Sequence, residues 1–170
     1  MGRVGAFITH ERGAAAAEMA LILPLALALL FTMFEGAWYI LCEHRVIKGV
    51  RDGARYAARL DFANYGCPGG TFNGTALTAQ QIKNLTRTGQ LELGEGTVPG
   101  WADKHIFISV SCTNEIGGLE VGGIYAATGK YAPKVRIHTS VPFPSLLGSM
   151  GFGSATWQIQ AAAESPVTGI

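Results

Sequence analysis

Two groups of residues in this chain have the types and spacing to do chemistry. The first is Gly13-Ala14 followed by Glu18, within the run RGAAAAEMALILPLALALL at residues 12–30. Cutting the peptide bond after Gly13 would free an α-amine on Ala14, with Glu18 one helical turn further on. A carboxylate among lipid tails costs about 2.5 kcal/mol or more, according to depth. A cationic chain end on a neighbouring helix would neutralise it, and the pair would set the axial register between subunits packed side by side. Uncut, the same stretch reads as an ordinary signal anchor with Glu18 at the headgroup level. The second group is the thiols. Cys42 ends the apolar run, whereas Cys67 and Cys112 lie in the polar part and can pair. A bridge across that separation would stabilise a small domain by about 4 kcal/mol on the chain-entropy account, and it needs an oxidising compartment. The alternative is two unpaired thiols in a core.

Other chemistry is not encoded in recognisable form. The chain holds no HExxH, GxSxG or P-loop and no paired carboxylates in a familiar frame. His10, His44, His105 and His138 are far apart, without metal-ligand spacing. The glycines of GEGTVPG follow no strand and match no phosphate-binding fingerprint. No catalytic residue, metal or cofactor is expected, and a membrane-anchored enzyme is the least supported class. The net charge is +1, with no Lys/Arg-rich run, so no nucleic-acid partner is expected.

Residues 14–42 must position Glu18. The chain has 170 residues, of which 48% are apolar and 15% charged, which is apolar for a soluble domain. Met19 to Phe34 is an unbroken run without a charge. As a helix, residues 14–42 extend about 43 Å, more than the ~30 Å hydrocarbon core of a bilayer. Trp38 and Tyr39 then fall in the interfacial belt, and Pro24 is expected to bend the span. A secretory cut near Gly36-Ala37 is opposed by Glu35, and a lipoprotein cut at Cys42 by the bulky Tyr39-Ile40-Leu41 before it.

Residues 43–60 read as an amphipathic continuation of that helix. Val46, Ile47, Val50, Ala54, Ala57 and Ala58 share one arc, and Arg45, Lys48, Arg51, Arg55 and Arg59 share another. The apolar arc is expected to pack on the chain's own globular part. The basic stripe faces water, lipid phosphates or an acidic subunit. Gly49, Gly53 and Ala57 form a small-residue stripe that permits close helix approach, between subunits or within the chain.

The composition changes at 61–75, where glycines and a proline end the long helix. Residues 61–170 are expected to form a small α+β domain. A short helix is predicted over 78–91 with Thr78 as its N-cap, then half-buried antiparallel strands over 105–112, 134–141 and 156–164. Residues 113–133 read as a long exposed loop and 141–153 as an irregular connection. Phe143, Leu146, Leu147, Met150 and Phe152 of that connection cover the core or form an exposed contact patch. The fold class is therefore α+β: a long N-terminal helix, transmembrane then amphipathic, packed on about three antiparallel strands with one short extra helix.

The segment RGAAAAEMALILPLALALLFTMFE, followed by GVRDGARYAAR, closely resembles the TadE-like pseudopilins of the tight-adherence (Flp pilus) system. The resemblance covers about residues 12–60 and rests on Gly13, Glu18, Leu23-Pro24-Leu25, Glu35 and Gly53-Ala54-Arg55-Tyr56-Ala57, in that order. Met19 departs from the aromatic usual at its position but keeps a bulky apolar side chain. The resemblance implies a pilin-like fold and a leader over residues 1–13 removed by a prepilin peptidase between Gly13 and Ala14. It implies assembly through Glu18 and Glu35 with other pilins or pseudopilins and inner-membrane assembly proteins. It also implies a single-pass protein of the bacterial inner membrane whose C-terminal domain is periplasmic. The positive-inside rule, counted literally, points the other way. Arg3 and Arg12 against Glu11 precede the span, and Arg45, Lys48, Arg51, Arg55 and Arg59 against Glu43, Asp52 and Asp61 follow it. The cysteine pair and the resemblance outweigh that count. The competing class is a membrane-anchored periplasmic binding module that works alone.

Overall fold

The computed structural model describes residues 11–116, 119–149, 151 and 157–169. Residues 1–10 of the expected leader lie outside these, with Arg3 and His10, as do Met150, Phe152 and Thr156. The chain divides into two compact units, the first ending at Trp38 and the second beginning at Tyr39.

The first unit is the N-terminal part of helix α1 (Glu11–Ala58). Leu, Ala and Met dominate it, all strong helix formers without β-branching. The helix runs uninterrupted through Pro24. Eight residues on, the Thr32 hydroxyl donates back to Ala28 O at 2.7 Å.

The second unit packs the rest of α1 on a sheet. Val46, Val50, Ala54, Ala57 and Ala58 are buried, whereas Arg51, Arg55 and Arg59 are exposed, so the 3.6-residue periodicity divides this part of α1 as the sequence predicts. Two short strands, β1 (Tyr65–Gly66) and β2 (Thr71–Phe72), form a hairpin before helix α2 (Ala76–Thr88). Strand β3 (Ile106–Thr113) is followed by a second small hairpin, β4 (Glu115–Ile116) and β5 (Leu119–Glu120), then β6 (Ala132–Pro142), the single turn α3 (Leu146–Ser149) and β7 (Gln158–Pro166). The main sheet is antiparallel in the order β3-β6-β7. On β6 the alternation is clean: Val135, Ile137, Thr139 and Val141 are buried, while Lys134, Arg136 and His138 are exposed. On the outer face Phe107 stacks on its register partner His138 with ring centroids 5.0 Å apart, and Arg136 meets Glu164 across the ladder at 3.5 Å.

Several boundaries differ from the sequence expectation, each for a local reason. Helix α2 starts after Thr75, not Thr78, because the Thr75 hydroxyl accepts the Thr78 N–H at 3.1 Å. It ends before Leu91 because Gly89 takes a left-handed conformation (φ 78°) and closes it. The loops expected at 61–75 and 113–133 each contain a two-residue hairpin, and Val121 is buried in the second. Trp157, within the strand expected over 156–164, precedes the first ladder pair (Pro142 with Gln158) and is 58% exposed.

The end of α1 is closed by later parts of the chain. Its terminal carbonyls would otherwise lack partners. Tyr65 donates its hydroxyl to Ala57 O, and Thr168 N–H donates to Ala58 O at 2.7 Å. Burial pushes the Tyr65 phenol well above its ordinary pKa.

Candidate assembly helix

Gly13, Ala14, Glu18, Pro24, Glu35, Gly49, Gly53 and Ala57 all lie on α1. The Gly13–Ala14 bond is in its first turn, and Gly13 is exposed, with open space where a side chain would project. Glu18 is exposed and Glu35 half-exposed. The two carboxylates stand about 26 Å apart along the axis, and so bracket the charge-free run within one ~30 Å hydrocarbon thickness. Between them the side chains are bare: Leu29 is 55%, Met33 71% and Phe34 60% exposed. Ala26, Leu29, Leu30, Met33, Phe34 and Ala37 line one apolar groove, at the spacing of a single helix face. The helix Ala15–Ala58 contains a stretch of mean hydropathy 2.1 with none of it buried. Such a surface is compatible with a single-pass membrane anchor.

In the second unit the small-residue stripe faces inward. A methyl on Gly49 would overlap the Thr86 carbonyl oxygen and press on Trp101. A methyl on Gly53 would overlap the Thr86 hydroxyl and lie 3.2 Å from Ile137 Cδ1. Of the two readings left open by the sequence, the contact described here is the one within the chain. Thr86 and Trp101 are residues that the sequence reading missed. Trp101 is 3% exposed and donates its indole N–H to Thr139 Oγ1 at 3.1 Å; that hydroxyl donates to His105 O at 2.7 Å. A tryptophan in a Gly/Pro-rich loop is costly to leave in water, and that was the available signal.

The segment between α2 and β3 is held by polar contacts. Arg87 Nε donates to Asp103 Oδ1 at 2.6 Å and Gln80 Nε2 to Asp103 Oδ2 at 2.6 Å. Arg45 donates to Thr97 O at 3.0 Å. Burial works to raise the Asp103 carboxyl, but the hydrogen bonds from Gln80 and Arg87 and the charges of Arg87 and Lys83 outweigh it and hold the group below the usual carboxylate range. Cys67 and Cys112 are joined, with Cα atoms 5.8 Å apart, which ties the first hairpin to β3. Cys42 is a free thiol, buried. Among the described residues, no group of three or more His, Cys, Asp or Glu could hold a metal ion.

Residues 13–55 match the family model of TadE-like proteins. Over these residues the chain is similar to TadE-like proteins. The matched stretch lies wholly inside α1 and runs from the residue before the expected cut to Arg55, two residues past the Gly49–Gly53 step. The match is consistent with a TadE-like protein of the Tad (Flp) pilus system and supports involvement in Tad pilus assembly. No curated protein and no solved structure matches the chain significantly.

Proposed function

We propose that this TadE-like protein is a membrane-anchored pseudopilin or minor pilin that acts, without catalysis, in assembling a Flp-type pilus or a related secretion machine. One observation carries the reading: the TadE-like match coincides with a single continuous helix whose charge-free run is bare and ends at Glu18 on one side and Glu35 on the other. A prepilin peptidase cuts between Gly13 and Ala14 from the cytoplasmic side. The freed amine of one subunit meets Glu18 of another as the helices bundle and leave lipid, and Glu35 marks the far end of the same register. The unit beginning at Tyr39 sits in the periplasm, where the Cys67–Cys112 bond forms and persists.

Photo-crosslinking tests the assembly role. A crosslinker placed at Leu29 or Met33, in cells making the pilus, should capture a pilin-like subunit. Capture of lipid alone, while pili form normally, would contradict the proposal and favour an anchored binding module that works alone.

A further inference from the structure

We propose that the globular unit carries a second membrane contact: Trp157, with Tyr39 and Phe143, seats in the lipid headgroup layer beside α1. The inference rests on reading α1 as a membrane helix. Tyr39 lies near the end of the apolar run, which Cys42 closes, and with Trp38 falls in the interfacial belt of that reading. Its ring centroid is 5.2 Å from that of Phe143 and 6.4 Å from that of Trp157. Each interfacial layer is about 5–8 Å deep, so rings separated by 5.2 and 6.4 Å fit within one such layer.

The cluster is built from the chain's own geometry. Phe143 follows the end of β6 and Trp157 precedes β7, and Phe143 N–H donates to Trp157 O at 2.8 Å. Phe143 and Trp157 are thereby held together against Tyr39 of the same unit. Phe143 is 6% exposed and acts as the support, whereas Trp157 remains 58% exposed. An indole with an apolar body and one N–H donor suits the boundary between acyl chains and water, where it buries the ring and keeps a partner for the N–H. Arg45 and Lys48 are exposed on α1 beyond Tyr39, with the sign that suits anionic headgroups, and Lys48 lies 3.9 Å from Asp52.

The test uses the full chain in nanodiscs of mixed zwitterionic and anionic phospholipid. In a Trp38→Phe variant the emission comes from Trp101, which is buried, and Trp157. Lipid brominated near the top of its acyl chains should quench this variant, and the quenched signal should fall by at least about threefold when Trp157→Phe is added, as an interfacial indole requires. Aqueous iodide should quench the Trp38→Phe variant weakly, a measurement that leaves Trp157 in place. A chain that stays in the disc with Trp157 unquenched by bromine and open to iodide overturns this inference alone. So does a Trp157 hidden from both quenchers, which would mean that protein covers it. A chain that leaves the disc overturns the membrane reading of α1 as well.

Discussion

Glu18 is the residue on which the assembly reading turns. With Tyr39 at one interface, Glu18 stands about 32 Å along the helix, at the margin of the ~30 Å core. A carboxylate among lipid tails costs about 2.5 kcal/mol or more without a cation, according to depth. Glu18→Ala should therefore leave the chain in the membrane fraction but lower crosslinked or assembled product by roughly tenfold or more, since about 1.4 kcal/mol is a tenfold change. Equal yields for Glu18→Ala and the native chain would argue against the pairing. Gly53 is tested separately. Gly53→Ala forces a methyl onto Thr86 and Ile137, and overpacking of this kind costs about 1–3 kcal/mol. Thermal unfolding in detergent should show a lower midpoint, partly restored when Thr86→Ala removes the hydroxyl. The spacing Gly49–Gly53 was legible in the sequence, but its counterpart was not. Thr86 is a polar residue in a mostly polar helix, and nothing in its periodicity marks it as buried.

At the scale of elements, alternation and helical periodicity carried furthest. The three long strands lie where Ile106–Val110, Val135–Val141 and Ile159–Ala163 alternate, because each buries one face only. The long helix was equally plain from its apolar run and its basic stripe. Caps and short hairpins were misplaced because they depend on single hydrogen bonds, such as Thr75 to Thr78, that periodicity does not encode. The disulfide joins a hairpin to β3 across a separation of 45 residues. Reducing it, or replacing both cysteines with serine, should lower unfolding stability by about 4 kcal/mol on the chain-entropy account, read as a shift in denaturant midpoint. Asp103 fastens the segment after α2. Its folded pKa is depressed, so its contribution is present above the ordinary carboxylate value and is lost as pH falls through the folded value. Stability should thus decline below about pH 4, and Asp103→Asn should be less stable at neutral pH and show a flatter acid limb. An acid limb unchanged by Asp103→Asn would place the titration elsewhere.

For the whole molecule, charge and redox chemistry give opposite orientations. The basic groups after the span favour the cytoplasm by simple counting, but they lie on a helix face of a folded unit that also holds a disulfide. A bond between Cys67 and Cys112 is at home in an oxidising compartment, so protease added outside spheroplasts should digest the unit beginning at Tyr39 and leave the apolar helix protected. Removal of residues 1–13 is part of the proposed reading, and N-terminal analysis measures it most directly. Intact-mass and N-terminal sequencing of the protein extracted from membranes of cells that assemble the pilus should find a chain beginning at Ala14. A working protein that still begins at Met1, or one that begins after Ala37, would contradict the account.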